Sequence, residues 1–247
     1  MKTKIDLSLD NRIIKKITEW KRKNNIGSIE MGIEEILNSY FQNQIIKEAI
    51  ILIGGKKRRT EEELKNIINI MEKNILFLKE NNISTIYLVT NYFHNIYKQI
   101  GNGTKYDLKI IYKIEKEPQG TAGAIRDVQK EIDNRFILCY GDSYSQVNIN
   151  EIIKKHINTK AIVTAAITTS DDTSQYGVVK LDGDNVVSFV EKPRQTNTKL
   201  ISTGFFVIEK EIYKYIPSFI EKNYVMLEDL FEQIKNQNKL IGYIYPR

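Results

Sequence analysis

The sequence of 247 residues is poor in the residues that build disulfide frameworks, zinc sites and histidine-based catalytic centres. It contains one cysteine, Cys139, and two histidines, His94 and His156. A single cysteine excludes an internal disulfide and a thiolate-rich zinc site, which fits a reducing compartment, and we expect a cytoplasmic protein. Two histidines leave little material for histidine-based metal ligation or a catalytic triad.

Long apolar runs are also missing. The longest candidates, residues 49–53 and 161–167, are strand-sized and fall far short of the roughly 20 residues that span a bilayer. No charged and then apolar leader opens the chain, so we do not expect secretion. Hydrophobic residues make up 41% of the chain, too many for a disordered protein, and the net charge of +6 would suit acidic small molecules or nucleic acid.

Residues 1–44 differ in pattern from the remainder. Apolar and polar residues alternate over residues 4–9, which predicts a half-buried strand. Asp10 is a suitable N-cap for a helix with apolar residues at helical spacing, and Ser28 is a suitable N-cap for a second helix. We therefore predict a small strand–helix–helix element here, followed by a second domain over residues 45–247.

From residue 45 onward, strand and helix patterns alternate. The predicted strands cover residues 49–53, 86–90, 108–112, 136–139 and 162–167, followed by a hairpin over 177–190 and a strand over 202–208. The run at 49–53 is continuously apolar, as in strands buried on both faces of a parallel sheet. The alternation predicts an α/β fold with a doubly wound, mostly parallel sheet.

Two glycine-containing segments follow predicted strands, where ligands bind in such sheets. The run Gly54-Gly55-Lys56-Lys57-Arg58-Arg59 combines backbone access with four cations, which suits a polyphosphate, although a solvated basic turn is an alternative. The run Gly120-Thr121-Ala122-Gly123-Ala124 lets a flat ring or a phosphate approach the backbone, although a tightly packed loop explains it equally well.

Two further segments carry charge at strand ends. Asp142 follows Gly141 after an apolar strand and is suited to holding Mg²⁺ between phosphate oxygens, with an ordinary turn as the alternative. The run Glu191-Lys192-Pro193 closes the hairpin: the lysine suits a phosphate and the glutamate suits sugar hydroxyls, with a surface ion pair as the alternative.

Taken in chain order, these segments resemble the sugar-1-phosphate nucleotidyltransferase family over about residues 45–243. The matching segments are 49–55 (strand and loop), 64–70 with 73–76 (similar to a Pro-Lys-Pro element and the Gly-Lys-Pro segment after it), 117–124 (base-reading loop), 141–142 (metal aspartate), 176–179 with 189–193 (substrate side) and 202–206. The resemblance implies an Mg²⁺-dependent reaction in which a sugar 1-phosphate, or a related phosphate monoester, attacks the α-phosphorus of a nucleoside triphosphate and pyrophosphate leaves. The product would be an activated sugar for a surface polysaccharide.

The resemblance also implies roles for single residues. Arg58 or Arg59 would hold the leaving phosphates, Lys65 would contact the α-phosphate or the acceptor phosphate, and Asp142 would bind Mg²⁺. The nucleotide would lie against Gly54, Gly55, Gln119, Gly120, Thr121 and Gly123, and the acceptor against Tyr176, Gly177, Glu191, Lys192 and Thr203. We expect Asp142, Lys65 and Lys192 to converge on one pocket. The Gly-Thr-Ala-Gly-Ala run is more similar to loops of guanylyl-transferring members than to those of thymidylyl-transferring ones.

Three departures from the family pattern leave alternatives open. The loop after Gly55 reaches Lys65 sooner than in most members, and Leu64, Asn66 and Asn69 replace the prolines of the Pro-Lys element. The sequence also stops at Arg247, where members continue to a second metal-binding aspartate. Either Asp142 and the phosphates hold the metal alone, or Asp229 or Glu228 substitutes, or activity is lost. In the last case the protein would be a DNA-binding regulator that senses a nucleotide sugar.

The strand–helix–helix order of residues 4–42 resembles a ribbon-helix-helix module. The resemblance implies that Lys4, Asp6 and Ser8 face outward, toward base edges in DNA. Lys15, Lys16 and the basic residues at 21–23 would give the first helix a phosphate-binding face. An element this small must dimerise or dock to bury its apolar stripe, so we expect a homodimer, with DNA binding as one alternative and simple dimerisation or docking as the other.

Overall fold

The computed structural model describes residues 8–23, 26–44, 46–54, 59–218 and 221–246. Contacts divide the chain into two units, residues 1–45 and 46–247. Most of the predicted N-terminal strand lies outside the described residues, and so do Gly55, predicted to bind the nucleotide, and Arg58, predicted as one of two candidates to hold the leaving phosphates. None of the described helices combines the length and the apolar composition needed to cross a bilayer.

The first unit contains two helices, α1 (Asn11–Lys23) and α2 (Ile29–Gln44). Both predicted caps are confirmed: Asp10 Oδ1 accepts from the Arg12 amide at 2.7 Å, and Ser28 Oγ accepts from the Met31 amide at 3.2 Å. Ile17 is buried on α1, and a Cβ added at Gly32 of α2 would lie 3.4 Å from it. The two helices therefore approach each other closely at this glycine.

The second unit is built on one nine-stranded sheet with the strand order β3-β2-β1-β4-β8-β5-β9-β7-β6. The strands are β1 (Glu48–Ile53), β2 (Thr85–Thr90), β3 (Lys109–Ile114), β4 (Phe136–Tyr140), β5 (Val163–Thr169), β6 (Gly177–Asp182), β7 (Asn185–Glu191), β8 (Leu200–Ile208) and β9 (Leu240–Ile244). All but one of the residues of β1 are buried, as its apolar run predicts. This strand lies between β2 and β4 and is the centre of the parallel half of the sheet.

Helices cover both faces of this sheet, which confirms the doubly wound prediction. The helices are α3 (Glu61–Glu80), α4 (Phe93–Ile100), α5 (Gly120–Arg126), α6 (Ile149–Thr159) and α7 (Leu227–Lys235), with short 3₁₀ turns at Thr104–Tyr106 and Lys210–Lys214. Alternate residues of β1 join opposite cores: Ile51 packs with α3, α4 and α6, whereas Ile50 packs with α5 and α7. The two cores explain why β1 carries no polar face.

The sheet is parallel in one half and mainly antiparallel in the other. β3, β2, β1 and β4 are parallel to one another, whereas β8 runs antiparallel to β4 and β5. β6 and β7 form the predicted hairpin, whose turn places Gly183 at φ +56°. The expectation of a mostly parallel sheet therefore holds for the half that ends in Gly54 and Asp142, where α3, α4 and α5 connect β1, β2, β3 and β4 in turn.

Two helices are shorter than predicted. The pattern over residues 122–132 predicts a longer helix than α5, which ends at Arg126 and continues as turns. The pattern over residues 210–216 likewise predicts a helix, whereas Lys210–Lys214 forms a 3₁₀ turn. Val128 and Ile132 are buried all the same, so their apolar spacing reflects core packing and not helix length.

A buried polar network joins α6 to the sheet. His156 is fully buried, its Nδ1 lies 2.8 Å from Thr164 Oγ1, and its Nε2 lies 3.3 Å from Glu209 Oε1. Arg135 donates to the same carboxylate at 2.8 Å. Burial lowers the pKa of His156 below its usual 6.5, although Glu209 opposes the shift. The ring is therefore held neutral in the folded protein at neutral pH.

We predict that His156→Leu lowers the free energy of unfolding by about 2 kcal/mol, because it leaves the Thr164 hydroxyl without its partner. In the unchanged protein the unfolded chain takes up the histidine proton at a higher pH than the folded one, so stability falls as the pH drops from about 7 to about 5. Urea unfolding at a series of pH values measures both effects. His94→Leu, at the exposed second histidine, is the matched control and should keep the pH slope; a His156→Leu variant with the same slope would contradict this assignment.

Candidate active site

A cleft opens where the parallel strands end. Gly54 follows β1, Glu115 follows β3, and Asp142 follows β4 after Gly141. The cleft has a volume of about 210 Å³. Its walls are Leu52, Ile53, Gly54, Arg59, Val89, Glu115, Pro118, Gly120, Thr121, Ala124, Tyr140, Asp142, Tyr224 and Met226. The position agrees with the rule that ligands bind at the carboxyl ends of strands in open α/β sheets.

Arg59 and Asp142 form an ion pair in this cleft. Arg59 Nη2 donates to Asp142 Oδ2 at 3.2 Å, and the arginine side chain is 21% exposed against 46% for the aspartate. Arg59 Nε is buried and has no hydrogen-bond partner among the described residues. The Arg59 guanidinium therefore has an N–H group available to donate to an anion, and it lies next to the solvent-accessible carboxylate of Asp142.

Lys65 does not lie in this cleft. Thr60 starts α3 with a capping box: its hydroxyl accepts from the Glu63 amide at 3.2 Å, and the Glu63 carboxylate accepts from the Thr60 amide at 2.8 Å. Lys65 is thus one turn inside a helix and is exposed in a separate groove, which Asn95 of α4 also lines. The expectation that Lys65 and Asp142 share a pocket is corrected, because the capping box begins the helix before an extended Pro-Lys-type segment can form.

The predicted base-reading loop is fixed by the segment that precedes α7. The amides of Ala122 and Gly123 donate to the Val225 carbonyl at 3.0 and 3.1 Å, and the Val225 amide donates to the Gln119 carbonyl at 2.8 Å. The Leu227 amide donates to Thr121 Oγ1 at 2.8 Å. These four hydrogen bonds fix the loop against the segment before α7.

The structure separates the predicted loop residues into two groups. Gly120 and Thr121 line the cleft, whereas Gln119 and Gly123 are not among its lining residues. The Gln119 side chain donates to Asp127 at 2.7 Å and accepts from Arg126 at 3.0 Å, so it is turned toward α5 and away from the cleft. For these two residues the expectation of contact with a base is corrected.

The predicted acceptor residues come together at the hairpin. Gly177 pairs with Glu191 across β6 and β7, and the Lys192 amide donates to the Tyr176 carbonyl at 3.0 Å. Lys192 Nζ lies 3.6 Å from Glu191 Oε1. Burial raises the pKa of Glu191, and Lys192 opposes that shift. Lys192 itself has φ +45°, an unfavourable backbone conformation for a lysine that often marks functional sites.

Thr203 has a supporting position. Its hydroxyl donates to the Ala166 carbonyl at 3.2 Å, and its own carbonyl accepts from Ser143 Oγ at 3.1 Å. Ser143 is adjacent to Asp142, so β8 holds the loop that carries the aspartate. The described contacts of Thr203 therefore stabilise the cleft and do not reach into it.

Tyr140 is a site residue that the sequence analysis did not assign, and Glu228 is one that it named only as an alternative acid for the metal. Burial raises the pKa of Tyr140 well above its usual value, and the charges of Glu228, Glu191 and Asp142 add to the shift. Tyr140 therefore lies near the carboxylates of Glu228, Glu191 and Asp142. The sequence position of Tyr140 could have indicated this, because it lies at the carboxyl end of a predicted parallel strand, where ligands bind in such sheets.

Glu228 is enclosed beside this tyrosine. Its Oε2 is buried without a hydrogen-bond partner among the described residues. Burial raises the pKa of Glu228 to about 7, with Glu191 and Asp229 adding to the shift and Lys192 opposing it. Nothing in the sequence distinguishes it from the neighbouring Asp229, which instead caps α7 by accepting from the Met226 amide at 3.1 Å.

The donor set of the cleft fits Mg²⁺ only in combination with a ligand. Within the described part of the chain, no three acidic, histidine or cysteine side chains gather closely enough to hold an ion. Asp142 supplies one accessible carboxylate. Mg²⁺ is commonly held by one or two carboxylates together with substrate phosphates, so this arrangement suits a metal that arrives with a triphosphate. Asp229 is occupied as a helix cap, which argues against it as a further ligand.

The model of the nucleotidyl transferase family matches residues 48–245. The chain belongs to this family. A D-glycero-alpha-D-manno-heptose 1-phosphate guanylyltransferase of Aneurinibacillus thermoaerophilus is 29% identical over 207 residues, which cover 80% of this chain and 89% of the relative. The UTP–glucose-1-phosphate uridylyltransferase AglF of Haloferax volcanii is 26% identical over 178 residues, 67% of this chain and 73% of the relative.

The fold agrees with that of a solved structure. The crystal structure of HddC from Yersinia pseudotuberculosis superposes with a TM-score of 0.68 at 23% identity, and the match covers 81% of this chain and 90% of that one. The predicted family, fold class and enzyme class, a nucleotidyltransferase, are therefore confirmed. The ribbon-helix-helix resemblance of the first unit stays a prediction.

We predict that Gly120→Ala weakens nucleotide binding at least tenfold and lowers the free energy of unfolding by about 3 kcal/mol. Gly120 has φ +77°, and a Cβ there would lie 2.4 Å from the Val225 carbonyl oxygen, so the loop must move. Gly183→Ala is the matched control, because Gly183 has φ +56° with no atom within 4 Å of the added Cβ. It should cost only the left-handed strain of about 1 kcal/mol. Urea unfolding and equilibrium nucleotide binding measure the two effects. If both substitutions had equal effects, the predicted clash with the Val225 carbonyl oxygen would not be the cause.

Proposed function

We propose that this protein transfers a nucleotidyl group from a nucleoside triphosphate to a sugar 1-phosphate, with Mg²⁺ as cofactor and pyrophosphate as the second product. The observation that carries the proposal is the Arg59–Asp142 pair in a cleft at the carboxyl ends of the parallel strands. A guanidinium and an accessible carboxylate side by side suit a polyphosphate and its metal ion. The two relatives described above act on a sugar 1-phosphate, as their names state.

Arg59 would bind the phosphates that leave. Its Nε and the Nη group now shared with Asp142 provide donors in a fork that matches phosphate oxygens. Asp142 would hold Mg²⁺, which when bound neutralises charge on the phosphate oxygens. With Asp142 engaged in holding the metal, Arg59 would direct its charge toward the triphosphate. Catalysis of this kind depends on positioning and charge neutralisation more than on covalent participation of the protein.

Glu191 and Lys192 would hold the acceptor. The lysine would bind the attacking phosphate as a point charge, and the half-buried carboxylate would accept hydrogen bonds from sugar hydroxyls. Glu228 faces the same region with an unpartnered oxygen, and its raised pKa allows it to donate as well as accept near neutral pH. The sugar would then lie between β7 and the start of α7, with its phosphate toward Tyr140 and Asp142.

The test is a pyrophosphate-release assay with each common nucleoside triphosphate and a panel of sugar 1-phosphates, hexose and heptose. Mg²⁺-dependent release with one pair, and formation of the nucleotide sugar, is the expected result. Tight binding of a nucleotide sugar without turnover, together with salt-dependent retention on duplex DNA, would instead favour the regulator alternative.

We predict that Asp142→Ala lowers kcat for pyrophosphate release at least about 100-fold, because a metal-bound charge at the phosphates is lost. Asp182→Ala is the matched control: Asp182 is an exposed carboxylate in the hairpin turn, and its removal should leave kcat unchanged. Steady-state kinetics at saturating Mg²⁺ gives both values. Unchanged turnover in Asp142→Ala would remove this residue from the mechanism.

We predict that Lys192→Ala raises KM for the sugar 1-phosphate about tenfold while KM for the triphosphate stays within twofold, since one charge-assisted contact to the acceptor phosphate is lost. Lys199→Ala is the control, because Lys199 is an exposed lysine that pairs with Asp171 at 2.6 Å. Initial rates with each substrate varied in turn separate the two constants. A rise in both constants would show that Lys192 does not act on the acceptor alone.

A further inference from the structure

Asn74 is a buried amide on α3 that the proposed reaction does not use. The residue is 3% exposed and lies on the face of the helix that packs against the sheet. A buried amide on such a face is unfavourable unless its N–H groups find acceptors. The other buried residues of α3, which the structure describes from end to end, are apolar: Leu64, Ile67, Ile68, Met71, Ile75 and Leu78.

The acceptors are two carbonyl groups of the turn that carries Asp142. Asn74 Nδ2 donates to the Ser143 carbonyl at 2.8 Å and to the Tyr140 carbonyl at 3.4 Å. The Ser143 amide donates to the Tyr140 carbonyl at 3.3 Å, which closes a four-residue turn with Asp142 at its third position. An asparagine amide has two N–H groups, so Asn74 holds both ends of this turn at once.

The same helix approaches Asp142 from a second direction. Arg59 lies directly before the cap of α3, and its guanidinium is paired with the Asp142 carboxylate. On the other side, the Gly141 amide donates to the Leu52 carbonyl at 2.9 Å and ties the turn to β1. A shift of the turn against α3 would therefore change both the direction of the carboxylate and its distance from the arginine.

The contact belongs to this chain and not to the family pattern. Residues 73–76 resemble the Gly-Lys-Pro segment, in which proline takes the place of Asn74. Position 74 lies well inside α3, where a proline would remove a backbone hydrogen bond. The long helix therefore accounts for the loss of the proline. It does not account for a buried amide in its place, because an apolar residue would fit the rest of this face.

We propose that Asn74 is a positioning residue for Asp142 and sets how well the cleft binds a triphosphate with its Mg²⁺. The inference rests on the proposed function, which makes Asp142 the carboxylate that holds the metal. Loss of the groups that orient a metal ligand commonly costs about ten- to a hundredfold in metal affinity or activity. The effect of Asn74 therefore falls on the metal and the triphosphate and not on the acceptor, which the hairpin would hold.

The experiment measures the Mg²⁺ concentration that gives half-maximal triphosphate binding, by isothermal titration calorimetry with GTP, UTP, ATP and CTP in turn. Asn74→Leu nearly keeps the side-chain volume and removes the donor. It should raise that concentration about tenfold for the triphosphate that the unchanged protein binds. In the protein without metal, it should also speed hydrogen exchange of the Ser143 amide at least about tenfold, because the turn opens more easily.

Two control variants separate positioning from a general loss of stability. Asn81→Leu removes a side-chain amide that donates to the Phe77 carbonyl at 2.8 Å, at the end of the same helix. Leu78→Ala removes buried volume one turn beyond Asn74 and should lower the resistance to urea at least as much as Asn74→Leu. Both controls should keep the Mg²⁺ concentration within about twofold of that of the unchanged protein.

An unchanged Mg²⁺ concentration in Asn74→Leu would overturn the inference, even if the turn exchanged faster. A rise of the same size in Leu78→Ala would also overturn it, because the effect would then follow stability. If Asn74→Leu does not fold, Asn74→Ser takes its place, since the shorter serine side chain does not span both carbonyls.

The outcome also distinguishes this inference from the proposed function. A raised Mg²⁺ concentration in Asn74→Leu, without pyrophosphate release by the unchanged protein, would contradict the proposed function and leave the inference standing. Pyrophosphate release with an unaltered Mg²⁺ dependence in the variant would do the reverse. If none of the four triphosphates binds in the presence of Mg²⁺, the inference is overturned together with the role of Asp142.

Discussion

The site depends on the parallel pairing of β1 with β2 and β4. Parallel strands end at the same edge of a sheet. Residues far apart in the chain, such as Gly54, Glu115 and Asp142, are therefore brought to one edge by the strand pairing itself. Both faces of β1 are buried by apolar side chains, so the strand meets the cleft only at its carboxyl end. The Arg59–Asp142 ion pair, the buried Glu115 carboxyl and Gly54 thus line one cleft of about 210 Å³.

The nucleotide and acceptor sides are joined by short-range contacts. Val225 pairs with the loop at Gln119, and Thr121 receives the amide of Leu227, whose neighbour Glu228 faces the acceptor side. Thr203 holds the Asp142 loop from the antiparallel half of the sheet through Ser143. These hydrogen bonds join the 119–121 loop to the segment that begins α7, and the Asp142 loop to β8. They therefore hold the surroundings of the cleft together across the two halves of the sheet.

Much of the fold could be predicted from residue patterns, and less of the site. Apolar runs identified the buried strands, the Asp182–Asn185 turn identified the hairpin, and glycines and aspartates at strand ends identified Gly120 and Asp142. The role expected for Lys65 came from a resemblance to an extended segment, although Thr60 and Glu63 have the spacing of a capping box and indicated a helix. The direction of the Gln119 side chain depends on Arg126 and Asp127, and the burial of Glu115 depends on three strands. Such tertiary effects leave no periodic trace in the sequence.

The bond from the Leu227 amide to the Thr121 hydroxyl has a consequence for engineering. It ties the loop at Thr121 to the first turn of α7, so neither can be altered without affecting the other. In the proposed transferase, a substitution at Glu228 made to broaden the range of accepted sugars would therefore also affect the loop expected to contact the base. Substitutions on the hairpin, around Tyr176 and Glu191, would act on the proposed acceptor side and leave this hydrogen bond intact, which makes them the better starting point for new acceptors.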